Sequence, residues 1–231
     1  MPSMNGEPKN VDPATGPPSA PPAAPPGADA AGGAHQTCWR RALREQSRVG
    51  AVMPSSARLG AVLAAPIPRH GRPVVVELGP GTGAVSAQIA RRLPAAGRHL
   101  AVELDPVMAS WLARRRPDIE VVEGDVVKLD RLLAERGVGR VDVVVSSLPW
   151  SLFDASTQGA ALEAIRRVLD PSGAFTTFAY LNGLPLAGAR RFRRLLDESF
   201  DEVVRTAPVW RNMPPAMVYL CRRPLPAGSA R

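Results

Sequence analysis

The sequence predicts an α/β protein in which a doubly wound, mainly parallel sheet ends in an antiparallel hairpin. Three observations carry this. Val74, Val75 and Val76 run into Glu77-Leu78-Gly79-Pro80-Gly81-Thr82-Gly83, and Val85, Ile89 and Leu93 then follow at helical spacing. A β-branched apolar run suits a strand buried on both faces, and the glycines let the backbone turn sharply and approach a ligand with no Cβ in the way. Ala101-Val102 then leads into Glu103-Leu104-Asp105, so a second strand ends in a carboxylate 20 residues past Gly83. Strand-like and helix-like segments keep alternating up to two last strands, which are separated by a loop holding Pro214 and Pro215. Parallel strands need helical crossovers, whereas a short loop can join antiparallel ones.

The remaining elements follow in order. Asp105 precedes Pro106, which suits a helix start. Ile119 to Val126 is a short strand running into Asp125, and Val141 to Leu148 is a buried strand ending in Ser146-Ser147-Leu148-Pro149-Trp150. Ala160, Leu162, Ile165 and Leu169 give a helical pattern that Pro171-Ser172-Gly173 breaks before the strand Ala174 to Tyr180. A basic helix spans about Leu186 to Ser199, and the hairpin strands cover about Asp201 to Trp210 and Ala216 to Arg222. One domain of ordinary size is therefore expected over residues 59–223, after a Pro/Ala-rich tail (1–35) and a basic segment (36–58) and before a flexible end (224–231). The tail has almost no large apolar side chains and cannot offset its ordering entropy, so it is expected to be disordered.

A strand, glycine loop and helix followed by an acid-terminated strand is the nucleotide-binding half of such a fold, with the second acid accepting from ribose hydroxyls. Glu103 has that place. The stretch from Gly79 also tolerates a G-x-G-x-x-A dinucleotide reading through Ala84. Glu77 favours a different cofactor: its charge would repel a pyrophosphate but suits the ammonium of an amino-acid cofactor such as S-adenosylmethionine.

The four stations around Glu77, Glu103, Asp125 and Ser146 to Trp150 resemble class I S-adenosylmethionine-dependent methyltransferases over roughly residues 48 to 223. That resemblance implies a Rossmann-like seven-stranded sheet and a cofactor site drawn from Glu77, Gly79, Gly81, Gly83, Glu103, Leu104, Asp125, Val126 and Ser146, with Asp125 on the adenine amino group. It also implies that Ser146 to Trp150 line the methyl-transfer site. The flanks Arg48-Val49-Gly50-Ala51-Val52-Met53-Pro54-Ser55-Ser56 and Val209-Trp210-Arg211-Asn212-Met213-Pro214-Pro215-Ala216-Met217-Val218-Tyr219 look like those of bacterial phospholipid N-methyltransferases, which methylate phosphatidylethanolamine. The related ribosomal RNA adenine dimethylases carry Asn-Leu-Pro-aromatic where this chain has Ser147-Leu148-Pro149-Trp150. Serine lacks the carboxamide that would orient an adenine amine.

Transfer to an amine requires its neutral form, so the site must favour loss of a proton by desolvation or by a hydrogen-bond acceptor, and no histidine stands near the motifs as a base. Tyr180, Ser147 and Trp150 are the candidate catalytic residues. Tyr180 could orient the amine or simply end its strand with the hydroxyl in water. Trp150 and Trp210 could offer a ring face to a methylated cation or could pack. Arg211 suits a lipid phosphate or a solvated loop position, and Asn212 joins the substrate candidates.

The formal net charge is +8 in a chain of 231 residues. Trp39 and Leu43 with Arg40, Arg41 and Arg44 make a basic amphipathic segment suited to an anionic membrane, where each arginine contributes about 1 kcal/mol. Packing of Trp39 and Leu43 on the domain is the alternative, and the basic stretch Arg190-Arg191-Phe192-Arg193-Arg194 has the same two readings. No apolar run reaches the roughly 20 residues that span a bilayer, and the tail does not read as a secretory signal. The expectation is a cytoplasmic protein, peripheral at the inner membrane face, with phospholipid as substrate and no obligate protein partner. Three histidines and two cysteines offer no zinc cluster, so no metal is expected; Cys38 and Cys221 read as free thiols at or near the surface. With 5% aromatic content and no further module after Tyr219 to Arg223, nucleic acid is not expected as a partner.

Overall fold

The structure is a computed structural model and describes residues 55–226. The tail, Cys38 and the membrane candidates Trp39, Arg40, Arg41, Leu43 and Arg44 lie outside the described residues.

The first helix, α1 (Ala57–Leu63), begins where the Ser56 hydroxyl accepts from the amide of Leu59. Strand β1 (Val74–Leu78), helix α2 (Ala84–Arg92), β2 (Arg98–Glu103), α3 (Pro106–Arg115) and β3 (Glu120–Glu123) form the first half. A 3-10 turn (Val126–Lys128) and α4 (Leu129–Ala134) lead to β4 (Val141–Ser146), α5 (Ala155–Val168) and β5 (Leu169–Tyr180). Helix α6 (Ala187–Ser199) and the strands β6 (Phe200–Arg205) and β7 (Ala216–Pro224) complete the chain. The seven strands lie in the order β3-β2-β1-β4-β5-β7-β6. The first five are parallel, and β7 runs antiparallel to both its neighbours. The chain crosses from one half of the sheet to the other between β1 and β4, and the crevice at the carboxyl ends there is where such sheets bind ligands.

Alternation along the strands builds a core on each face of the sheet. Val76, Leu78, Val144, Phe175 and Tyr219 face α5 and α6, which bring Leu162, Ile165, Phe192 and Leu196. Val75, Val143, Val145 and Val218 face the other way onto α1 and α2, meeting Leu59, Leu63, Val85 and Ile89. Phe175 and Thr176 show the switch between faces: the ring is in the first core, and the hydroxyl donates to the Leu63 carbonyl at 3.0 Å on the other side.

The seven strands and closing hairpin match expectation, but several boundaries move. β4 stops at Ser146, and after a last bond from the Ser147 amide to the Leu78 carbonyl at 2.8 Å the chain turns away from the sheet through Leu148 to Trp150. β5 begins at Leu169, before Pro171-Ser172-Gly173, because the expected break is absorbed as a register shift against Val141 to Val143. β6 ends at Arg205 rather than near Trp210, while β7 reaches Pro224 and the amide of Leu225 still bonds the Ser199 carbonyl. Cys221 is fully buried, not at the surface: β7 has a strand on each side, and every second residue points beneath α6. Burial pushes its thiol well above the ordinary range.

Candidate active site

The glycine loop after β1 is held by its own backbone. Gly79 donates to the Val102 carbonyl at 3.0 Å, and Gly83 to that of Pro80 at 2.9 Å. Gly79, Gly81 and Gly83 all have positive φ, the region that side chains disfavour. At Gly81 (φ +51°) nothing lies within 4 Å of the place a Cβ would take, which leaves an open approach to the backbone.

Glu103, at the end of β2, joins this loop to the next turn. One carboxylate oxygen accepts from Gly81 N at 3.3 Å and the other from Asp105 N at 3.1 Å. Burial raises its pKa, and the backbone donors of Asp105, Gly81 and Leu104 act against that rise. The carboxylate retains acceptor capacity for a further donor. Asp125 is buried at the end of β3, with one oxygen accepting from the Val127 amide at 3.1 Å, so it caps the 3-10 turn. Asp105 caps α3 through Val107 and Met108. Leu104 and Val126 share a small cavity of about 20 Å³ with Gly79, Glu103 and Leu148.

Glu77 is held more deeply than its motif indicates. Glu77 is 0% exposed: its Oε2 accepts from Ser86 Oγ at 2.7 Å and meets His99 Nε2 at 3.1 Å. Its other oxygen is buried without a hydrogen-bond partner among the described residues. The carboxylate therefore braces α2 and β2 beneath the loop, and a histidine does stand against a motif residue. The sequence hid His99 because only the parallel register of β1 and β2 brings it to the same face as Glu77.

A larger cavity of about 430 Å³ opens past Ser146, between the end of β4, the end of β5 and the start of α6. Leu148 borders both cavities. Ser147, Trp150 and Tyr180 all line the larger one, with Phe178, Phe192 and Tyr219. Ser147 Oγ is buried with no partner among the described residues, and burial raises the Tyr180 phenol. Ser146 Oγ instead accepts from Trp150 Nε1 at 3.0 Å and Leu148 N at 3.3 Å, which fixes the turn that forms the wall.

Trp150 is 3% exposed and one of its faces stacks on Phe192 at 4.4 Å, so it is a packed wall rather than an open platform. Gln158 on α5, which no motif flagged, staples this wall: its amide donates to the carbonyls of Trp150 at 2.6 Å and Gly188 at 3.1 Å. Arg191 donates to Gln158 at 3.0 Å and to the Phe153 carbonyl at 2.7 Å. It thus turns inward from the basic stretch, and Phe192 and Leu196 are core residues as an ordinary surface helix requires. Gly188 presses on the same wall, where a Cβ would come within 2.1 Å of the Ser151 carbonyl oxygen.

The β6–β7 loop lies apart from both cavities. Trp210 is 71% exposed, and neither it nor Arg211 lines a cavity described above. Asn212, expected among the substrate contacts, is 4% exposed; its carbonyl oxygen accepts from Ser56 N at 2.8 Å and its nitrogen donates to the Pro214 carbonyl at 2.7 Å. Both ends of the carboxamide are committed to the chain, and the residue fixes α1 to the loop.

Comparison with known proteins fits this geometry. A family described as a methyltransferase domain matches residues 75–173, from β1 into β5. The ornithine lipid N-methyltransferase of Singulisphaera acidiphila is 38% identical over 177 residues, 75% of this chain and 88% of that one. The chain belongs to the bacterial lipid N-methyltransferases. The class I fold of these enzymes extends to distant structures. The O-methyltransferase of Bacillus cereus in complex with SAH has a TM-score of 0.55 at 14% identity, covering 80% of this chain and 91% of that one. The O-methyltransferase TomG of Streptomyces achromogenes, in complex with SAM, has a TM-score of 0.54 at 19% identity, covering 80% and 89%.

S-adenosylmethionine is the cofactor of this methyltransferase, and the residues at the β1–β4 crevice fit it. The open Gly81 backbone admits close approach, and the buried Glu103 carboxylate would be the group to accept from ribose hydroxyls. Asp125 and Val126, both buried past β3, would border the adenine. When bound, the cofactor supplies a methyl group on a sulfonium, ready for in-line transfer.

Proposed function

We propose that the protein methylates the amine of phosphatidylethanolamine, towards phosphatidylcholine, at the surface of an anionic membrane. The large cavity supports this most directly. Among the described residues no carboxylate, arginine, lysine or histidine lines it. An ammonium entering such a space is desolvated, which favours the neutral amine that can attack. Ser147 Oγ and the Tyr180 hydroxyl are then the groups that accept from the amine and aim its lone pair, and the transfer itself needs chiefly this alignment. At the rim, Leu152 and Leu186 are 40% and 49% exposed, as suits a site entered by an amphiphile. No helix among the described residues is long and apolar enough to cross a membrane, so attachment through the basic segment around Trp39 is part of the proposal.

An ornithine lipid is the second reading, favoured by the relative's substrate. It too presents a primary amine. The test is transfer of radiolabelled methyl from S-adenosylmethionine to vesicles holding phosphatidylethanolamine or ornithine lipid, with and without phosphatidylglycerol. Label in methylated phosphatidylethanolamine, increased by phosphatidylglycerol, is the expected result. Label in ornithine lipid alone would move the acceptor, and label only in soluble amines would remove the lipid reading.

A further inference from the structure

Beside the apolar cavity lies a second cleft of about 330 Å³, between α6 and the outer hairpin, and its character is opposite. Arg190, Arg193 and Arg194 reach it from the helix and Arg205 from β6. Arg205 stands directly opposite Tyr219 in the β6–β7 register, which places both side chains on the α6 side of the sheet. Tyr219 and Ala189 border both spaces, so the two adjoin.

The charge in the cleft is nearly uncompensated. Arg193 pairs with Asp197, and its guanidinium lies 5.7 Å from the centre of the Tyr219 ring. Arg190, Arg194 and Arg205 form no ion pair among the described residues, whereas Arg222 and Arg223 on the neighbouring strand meet Glu202 and Asp201. Guanidiniums gathered with a single carboxylate repel one another, and an oxyanion with several acceptor oxygens relieves that repulsion while engaging their donors.

We propose that Arg190, Arg193, Arg194 and Arg205 form a subsite for the oxyanion of the acceptor lipid, a phosphodiester or a carboxylate, while its amine enters the adjoining apolar cavity. The inference rests on the lipid reading above and replaces Arg211 as the phosphate partner. The site would make an acceptor recognisable by two features at once: a primary amine for chemistry and an anion a short distance away for binding. A simple alkylamine satisfies only the first.

The decisive experiment compares the wild type with the Arg194→Gln/Arg205→Gln double variant. Its acceptors are dihexanoylphosphatidylethanolamine, dispersed as monomers, and hexyloxyethylamine, which has the amine without the anion. The expected result is a drop of about tenfold or more in the kcat/KM ratio between the two acceptors, through KM, as the loss of charge-assisted hydrogen bonds implies. Arg205→Lys should recover part of that ratio, and Arg114→Gln on α3, a control for net charge, should leave it in place. An unchanged ratio overturns the inference. So does a defect confined to vesicles containing phosphatidylglycerol, which would make the cleft a contact for neighbouring membrane lipid. If the wild type methylates no lipid, the functional reading has failed by itself. Calorimetric binding of dihexanoylphosphatidylglycerol then judges the cleft: weaker binding to the double variant supports an oxyanion site, and equal binding overturns it.

Discussion

The proposed cofactor end and the proposed acceptor end of this protein are built on different principles. Around β1 to β3 the site is made of backbone and carboxylate: positive-φ glycines, Glu103 bonded to Gly81 and Asp105, and Asp125 at a strand end. Around β4, β5 and α6 it is made of packed side chains from distant parts of the chain, with Gln158, Arg191 and Gly188 holding a wall of Trp150 and Phe192. The first kind of site recognises one fixed molecule by hydrogen bonds. The second takes its shape from volume, and changes in packing alter it most.

That contrast predicts separable defects. The largest effect on stability should come from the acceptor wall. Gly188→Ala drives a Cβ onto the Ser151 carbonyl, and overpacking of this kind costs about 2–3 kcal/mol, or a thermal midpoint lower by roughly 5–10 °C. A midpoint equal to wild type would mean that α6 can move away freely.

Glu103→Gln should break the other end in a different sense. Losing a charged acceptor weakens S-adenosylmethionine binding by about tenfold or more, read by calorimetry. In the apo-protein the Gln amide nitrogen would face one of the two backbone N–H groups that the carboxylate oxygens accept from, which should cost about 1–3 kcal/mol, and the pH dependence that the raised Glu103 pKa gives the wild type should disappear. Wild-type apo stability is greatest below the unfolded carboxylate's pKa and declines as pH rises through the raised folded value. The Gln variant lacks that decline. Cofactor affinity of the wild type should fall as acid protonates Glu103, and a pH-independent dissociation constant would refute the ribose role.

Gln158→Ala removes the staple between α5, the Trp150 turn and α6. It should cost about 1–2 kcal/mol in stability and raise KM for lipid, while cofactor affinity stays within about twofold. A matching loss of cofactor binding would show that the two ends are not independent. Tyr180→Phe should be milder, lowering kcat about three- to tenfold with stability nearly constant, as one orienting hydrogen bond is lost. An unchanged kcat would leave Tyr180 as a wall residue. Least affected of all is Cys221, whose thiol should resist iodoacetamide until the protein unfolds; rapid labelling of the native protein at that position would contradict its burial.

The sequence was legible where function is written locally. Gly79, Gly81 and Gly83 and the acid twenty residues later report their own geometry, because a positive-φ turn and a strand-end carboxylate are properties of short segments. The alternation of strands and helices likewise disclosed the sheet and its closing hairpin. Tertiary structure alone decided what depends on register and on packing between distant segments. It set His99 against Glu77, used Asn212 to hold α1, buried Cys221 and turned Arg191 inward. It also separated one basic stretch into a staple and an open cleft that meets Arg205 from another strand. A helix repeats every 3.6 residues and a strand every two, but neither period says which neighbour a side chain will meet.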